Sequence, residues 1–325
     1  VEDTGKEAAS EVEGEAEAEH GDTSDDWDES VLSEVSHDSD VFHVEILRDK
    51  TWTTEEDRDM EIMDRLGLDY VWLNITTSAV FFAGLHAIAK RSPSPLAVLA
   101  LAFPVLILNM PMAAVKQAAA IGLTCFAFNA FIDRRIFRFA LFVGAAASFH
   151  GSALVFALLA PFVVGQYSFR NIALSAVLSI PGVFALLATE AAEIANIRYI
   201  VGEADAGGAI FRVGLVVATG LIYTLFLSSR WQTVFPRSHK LVSLLALGMI
   251  GLGLLLPLST VIADRFAYYF NIPQLMIYVA VPWLYPSKRR ALVAIAPYLA
   301  VGALFLAWTL LSNHYARCYV PYGMV

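Results

Sequence analysis

Apolar runs separated by short basic loops fill the chain from residue 70 to its end. A full-length run has enough residues to cross about 30 Å of hydrocarbon at ~1.5 Å per helical residue. The pattern predicts an all-α fold, a polytopic transmembrane helical bundle of nine to ten membrane segments that include a broken pair near His150. The runs cover approximately residues 70–89, 96–112, 114–131, 136–149, 152–164, 172–189, 210–228, 241–262, 266–285 and 291–311, with a break placed at Asp264–Arg265.

Composition excludes an ordinary soluble protein. The 325 residues are 57% hydrophobic and their mean hydropathy is +0.59, whereas a soluble domain is about 45–50% apolar. The two cysteines, Cys125 and Cys318, lie far apart in different surroundings. They indicate neither a disulfide framework nor a CxxC metal site.

Residues 1–69 differ in character from residues 70–325, which form the predicted transmembrane domain. The first segment holds 25 acidic and 5 basic residues, and the second holds 6 acidic and 17 basic residues. High charge with little apolar content favours disorder or loosely ordered helix, so we place no chemistry in the acidic segment. It begins with neither Met nor a basic signal-peptide region, and we expect further sequence, with earlier membrane spans, before it.

The charges of the loops predict the topology. If the chain turns back near His150 and Gly151, twelve of the 17 basic residues after Asp69 share one side, which the positive-inside rule makes cytoplasmic. Each half of the broken run spans only ~20 Å, so the break should lie below the outer surface, where protein or a water-filled cavity must satisfy the backbone. His150 is therefore predicted to line a recess. The twelve residues are Lys90, Arg91, Arg134, Arg135, Arg138, Arg170, Arg230, Arg237, Lys240, Lys288, Arg289 and Arg290.

Several other polar residues then fall on the outer side or just within it. Ionisable residues near membrane depth are costly and by default mark a functional pathway. Outward cations also run against the positive-inside trend, and an anionic ligand such as a diphosphate or a lipid head group explains them. The outer residues are Lys116, Gln117, Arg198, Tyr199, Asp264, Arg265, His314 and Arg317.

Four stretches carry a family resemblance: MAAVKQAAAIGL, RRIFRFALFVGAAASFHGSALVF, LSTVIADRFAYYFNIPQLMIYV and WTLLSNHYARCYVPYGMV. Together they resemble the EpsG family of exopolysaccharide polymerases, which are related in role to Wzy-type polymerases. The similarity extends from about residue 59 to the end. Its more specific features are a basic-Gln pair before an F-H-x-S-A element and a D-R-x-x-x-Y element. Lys116 stands where the family usually has Arg.

The resemblance implies a glycosyltransferase-type enzyme that polymerises lipid-linked oligosaccharide repeats on the periplasmic face of the bacterial inner membrane. The implied donor is an undecaprenyl-diphosphate-linked glycan. Membrane lipid and other polysaccharide export proteins are the further partners, and nucleic acid is not among them. Because no Asp-rich cluster stands on the outer face, we predict no cofactor and no obligatory metal ion.

The outer polar residues suit this reaction. The candidate catalytic residues are His150, as a base or orienting group, and Arg265, whose planar fork can hold two phosphate oxygens. Lys116 and Arg198 supply further positive charge, and the tyrosines supply rings that stack on sugars. The candidate substrate-binding residues are Lys116, Gln117, Arg198, Tyr268, Tyr269 and His314.

Each assignment has a purely structural alternative. His150 can simply satisfy a helix break together with Gly151 and Ser152, and Arg265 can form an ion pair with Asp264. A lysine at position 116 can snorkel to the interface. The remaining candidates have equally plain roles: Arg198 neutralised by acidic neighbours in its loop, His314 touching lipid head groups, and Tyr268 with Tyr269 forming part of an aromatic belt.

Other functions also remain open at this point. A transporter or flippase for lipid-linked glycans would need outward cations too, but it should show inverted repeats and polar residues that reach the cytoplasmic half. An acyltransferase or ligase of the same membrane would keep the enzyme class and change the acceptor. A non-catalytic assembly protein is the fourth alternative.

Overall fold

The computed structural model describes residues 70–165, 208–285 and 287–311, a few positions between 168 and 177, and Tyr315. Within these residues all regular structure is helical, which confirms the predicted all-α polytopic fold. The acidic segment and most of the predicted run at 172–189 lie outside the described residues. The helices are α1 (Tyr70–Ala89), α2 (Pro95–Ala102), α3 (Met110–Ala113), α4 (Val115–Ile132), α5 (Ile136–Phe149), α6 (Ala160–Val164), α7 (Ala209–Ile222), α8 (Ser228–Val234), α9 (Pro236–Gly251), α10 (Thr260–Ala280) and α11 (Ser287–Leu311).

Among the described residues, four continuous helical stretches are long and apolar enough to cross a membrane. Shorter apolar stretches accompany them, so the integral-membrane character is confirmed while the number of segments stays a prediction. The four long stretches are Val71–Ala89, Val115–Ile132, Ala209–Val234 and Val293–Leu311, and the shorter ones are Pro95–Ile107, Ile136–Phe149 and Gly151–Val164.

Helix α4 is central and packs against α1, α5, α9 and α10. Its closest neighbour is α1, because Gly84 and Gly122 face each other without side chains. A Cβ added to Gly84 would stand 2.0 Å from the carbonyl oxygen of Gly122. Between helices in lipid, where apolar burial gives little driving force, close approach of this kind supplies much of the packing energy.

The chain turns back at His150, as predicted. Helix α5 ends at Phe149, His150 is extended (φ −152°, ψ 111°), and a 3₁₀ helix follows over Gly151–Leu159. This second arm and α6 pack back along α5. With 14 residues, α5 is only ~21 Å long, less than the ~30 Å of hydrocarbon. We therefore expect the tip of this re-entrant hairpin to lie within the membrane thickness.

The hairpin starts and ends at the same end of the bundle, which we call the basic end. The Lys240 ammonium in the first turn of α9 donates a hydrogen bond to the carbonyl of Gly165, just past α6. Near the start of α5, Arg91 binds Asp133 through two hydrogen bonds of 2.8 and 2.7 Å. The hydrogen bond from Arg91 lowers the pKa of the Asp133 carboxyl. The opposite end, where His150 lies, is called the site end.

The predicted break at Asp264–Arg265 is wrong. Helix α9 ends earlier, and α10 begins at Thr260 with Ser259 as its N-cap, whose hydroxyl accepts a hydrogen bond from the Ile262 amide at 3.3 Å. Pro257 explains the difference, because it lacks an N–H and disfavours helix at the residue before it. Serine is a preferred N-cap that opens the next helix. The two charged residues lie in the second turn of α10.

Helices α7 and α10 run in parallel. Thr219 of α7 contacts the Tyr278 hydroxyl of α10 at 2.9 Å. The Gln274 amide donates hydrogen bonds to both hydroxyls at 3.1 Å. These buried polar groups satisfy one another, as the apolar surroundings require.

Substituting Gly84 by Ala should separate α1 from α4. The added methyl meets backbone, which cannot move aside as a side chain would, and overpacking of this kind costs about 1–3 kcal/mol. Gly144→Ala on α5 is the matched control, because a Cβ at Gly144 meets nothing within 4 Å. Thermal unfolding of the purified variants in detergent should show a lower midpoint for Gly84→Ala alone. Equal midpoints would contradict the close contact.

Candidate functional site

His150 stands at the tip of the re-entrant hairpin and is half-buried. Its Nδ1 atom lies 2.5 Å from the Ser152 hydroxyl. The side chain makes no capping hydrogen bond to either flanking helix. Its partner is thus the side chain of Ser152, a residue that the structural alternative for His150 also named.

Ser152 connects His150 to α10. The serine hydroxyl donates a hydrogen bond of 3.3 Å to the Tyr269 oxygen. Tyr269 is fully buried, and its ring packs against Phe156 of the second hairpin arm with centroids 5.6 Å apart. The hairpin tip is therefore held in place by a hydrogen bond from Ser152 and by a ring contact of Phe156, both with Tyr269.

Two cations of the site end lie within electrostatic range of the imidazole. Arg265 is exposed in the second turn of α10, and Lys116 is partly buried in the first turn of α4. The charges of both act on His150. Gln117 is buried, and its amide donates a 2.7 Å hydrogen bond to the Arg265 carbonyl. That bond holds the start of α4 against α10, so residues about 150 apart in sequence meet at the site end.

Asp264 pairs with Arg212 of α7, and sequence reasoning missed this arginine. Two hydrogen bonds of 2.8 Å join the guanidinium to both carboxylate oxygens. The side chains are only 18% and 11% exposed. Asp264 therefore has a cationic partner on another helix, in addition to the neighbouring Arg265 that the structural alternative named. An arginine three residues into an apolar run was the available signal, because such a residue is costly in lipid without a partner.

The other predicted site residues are placed differently or not described. Tyr268 is partly buried and lies near Arg212. Arg198 and His314 lie outside the described residues.

The site end therefore combines an imidazole with a positive field. Its described charges are the cations Lys116, Arg212 and Arg265 and the single carboxylate Asp264. The N-terminal turn of α4, which begins beside Lys116, adds the partial positive charge of its helix dipole. Such a field can hold an anion beside a proton-accepting group. The described residues contain no cluster of three or more His, Cys, Asp or Glu side chains arranged for a metal ion.

A family model, that of the EpsG family, matches residues 60–324. The chain belongs to the EpsG family. This confirms the resemblance drawn from the four sequence stretches, two of which contain the site residues on α4 and α10. No curated protein and no solved structure matches the chain. Membership of the EpsG family, together with the apolar helices, points to a membrane polysaccharide polymerase.

The Arg212–Asp264 pair of this EpsG-family protein should behave as a buried ion pair. Asp264→Asn should destabilise the fold by up to ~3 kcal/mol, because removal of one partner leaves a buried charge uncompensated. Arg212→Gln should do the same. The double variant should recover much of the loss, and a double-mutant cycle on thermal unfolding in detergent measures the coupling. Additive losses would show that the two side chains do not interact.

Proposed function

We propose that this protein polymerises lipid-linked oligosaccharide repeats at its site end, by glycosyl transfer from an undecaprenyl-diphosphate-linked donor. The observation that supports the proposal is the position of His150 at a re-entrant tip, joined through Ser152 to Tyr269 of α10 and within the field of the charges of Arg265 and Lys116. We expect this tip to lie at membrane depth. A lipid diphosphate brings negative charge to that depth. A sugar hydroxyl brings the proton that an imidazole can take.

The proposed step is a substitution at the anomeric carbon of the donor sugar. A hydroxyl oxygen of the acceptor sugar forms a bond to this carbon, and the bond from the carbon to the diphosphate oxygen breaks. The electron pair of the broken bond leaves with the diphosphate. The hydroxyl proton passes to His150, so the charges balance without any further reactant.

The hydrogen bonds around His150 favour the tautomer that this step needs. Because the Ser152 hydroxyl donates to Tyr269, the Nδ1–H of His150 donates to Ser152. Nε2 then carries the lone pair of a general base. In this assignment Tyr269 and Gln117 support the site from behind: Tyr269 orients the imidazole, and Gln117 places Arg265.

Arg265 and Lys116 are assigned to the diphosphate. Arg265 is exposed and its guanidinium can contact two phosphate oxygens at once, while Lys116 offers a point charge. Arg212, which is paired with Asp264, adds to the positive electrostatic field of the site. Tyr268, Arg198 and His314 remain candidate contacts to the sugar or the lipid carrier.

A transporter is the rival that the structure bears on most directly. Polar side chains do continue from the site end along α10, through Asn271 and Gln274 to Tyr278. The cavity that they line between α7, α10 and α11 measures only about 20 Å³, room for roughly one water molecule. This cavity among the described residues does not admit a glycan, which favours the polymerase over the transporter.

The orientation of the site is tested by single cysteines. In a background with Cys318→Ser and Cys125→Ala, Leu258→Cys at the site end should react with a membrane-impermeant maleimide added outside intact cells. Thr233→Cys at the basic end should react only after permeabilisation. Both residues are exposed, so the membrane alone should separate them. The reverse pattern would place the site in the cytoplasm.

Arg265→Lys tests the chemistry. The substitution keeps the charge and removes the planar fork. If Arg265 stabilises the departing diphosphate, loss of this preorganised donor should slow polymerisation by about 10²-fold. If Arg265 forms only an exposed ion pair, the substitution should cost about 0–1 kcal/mol of stability and leave polymerisation unchanged. The readout is polymer length on a gel, in a strain that lacks its own polymerase, at equal amounts of membrane-inserted protein.

Arg237→Lys is the matched control for this experiment. It makes the same change at an exposed position of the basic end and should leave the polymer unchanged. Wild-type polymer from Arg265→Lys would reduce Arg265 to a structural residue. Loss of polymer from both variants would mean that the effect does not come from the site.

A further inference from the structure

A second cavity lies in the half of the bundle that carries the basic end. It measures about 330 Å³, the volume of roughly eleven water molecules at ~30 Å³ each. Apart from one leucine, every residue that lines it carries a hydroxyl or an imidazole. The lining residues are Tyr223, Thr224, Ser228, His239, Ser243 and Leu247. We call this cavity the hydroxyl groove.

The hydroxyl groove is well separated from the site end. Ser228 follows Arg212 by 16 residues along the continuous helical stretch that starts with α7, which corresponds to ~24 Å. The groove therefore has no part in the chemistry proposed around His150, and its role is an independent question.

A local defect in the helix builds one wall. Residues Tyr223–Leu227 form a π turn, in which the Ser228 amide donates to the Tyr223 carbonyl five residues earlier. A π turn brings residues five apart onto the same side, and such turns are frequent at functional sites. The other wall is α9, where His239 and Ser243 stand one turn apart on the same face.

Hydrogen bonds link the two walls. His239 Nε2 lies 3.2 Å from the Ser228 hydroxyl and 3.4 Å from the Ser243 hydroxyl. The Tyr223 hydroxyl lies 3.1 Å from that of Ser243. Each hydroxyl can both donate and accept, so the groove can turn several donors toward an anion without moving its backbone.

The groove opens sideways onto an apolar surface. Thr224 is exposed on its rim and Leu247 is 58% exposed. The adjacent Leu225 and Phe226 are 68% and 69% exposed, as expected of side chains that face lipid. A ligand that fills the groove must therefore have a polar part, and its continuation must lie in hydrocarbon.

The groove lies among the cations of the basic end. Arg237, two residues before His239, is exposed. Arg230 lies 4.6 Å from the centroid of the Tyr285 ring, and Lys240 donates to the Gly165 carbonyl. Basic pockets between helices on the cytoplasmic side are typical sites for anionic lipid head groups. A neutral head group would use the hydroxyls but not these cations.

We propose that the hydroxyl groove binds the phosphate head group of an anionic phospholipid from the leaflet at the basic end. The head group accepts hydrogen bonds from the serine and tyrosine hydroxyls and from His239. Its acyl chains lie along Leu225, Phe226 and Leu247. The proposal does not depend on the polymerase reaction.

The test compares two lipids that share acyl chains, phosphatidylglycerol and phosphatidylcholine. The full chain is purified in detergent and mixed with each lipid. Native mass spectrometry, after removal of the detergent in the gas phase, then counts the lipid molecules that stay bound to the protein. The wild type should retain phosphatidylglycerol preferentially. His239→Gln and Ser243→Val should each weaken this retention about tenfold, the effect of losing one hydrogen bond to a charged group. Thr233→Val, an exposed threonine of α8 outside the groove, should retain the lipid like the wild type.

Several outcomes would overturn the proposal. Equal retention of the two lipids by the wild type would do so, and this measurement needs no variant to fold. A preference that survives in both groove variants would place the lipid elsewhere. Tyr223→Phe, which removes only a hydroxyl, guards against misfolded variants and should also weaken retention. Displacement of the lipid by inorganic phosphate at equal concentration would identify a site for free phosphate.

Discussion

An interrupted helix inside a membrane must have its backbone satisfied by protein, and the break at His150 is the point on which this structure depends. Backbone hydrogen bonds of 3.0 Å from the His150 amide to the Ala146 carbonyl and from the Ala153 amide to the His150 carbonyl satisfy the break, and Ser152 and Tyr269 hold the hairpin tip against α10. The hairpin therefore starts and ends at the basic end. In a membrane with about 30 Å of hydrocarbon, arms of this length are expected to leave the imidazole below the outer surface.

Charge at that depth is possible because the cost of burying it is shared between helices. Arg212 lies between α7 and α10, and Asp264 satisfies its planar fork with two hydrogen bonds. A single guanidinium in lipid would be expensive. The Arg212–Asp264 pair makes the surroundings of the site polar. A further cation acts most strongly on an anion where fixed polar groups take the place of water.

Much of the fold follows from the sequence, and the differences have physical reasons. The bounds of α1 and α5 agree with their apolar runs, and loop charge alone indicated the reversal at His150. The start of α10 was misplaced because a charged pair was given more weight than Pro257 and the Ser259 cap. At the site, sequence identified the polar residues but not their partners. Spacing along a helix shows which residues share a face, and it does not show that Gln117 meets the Arg265 carbonyl.

The distribution of cations at the site end gives each of them a distinct part. The fork of Arg212 holds Asp264, and Lys116, which stands where the family usually has Arg, can offer only a point contact. Under the proposed function, bidentate contact with a diphosphate therefore falls to Arg265 among the described residues of this end. Gln117 binds the main chain of that same residue, so the start of α4 fixes the turn of α10 from which the Arg265 side chain extends.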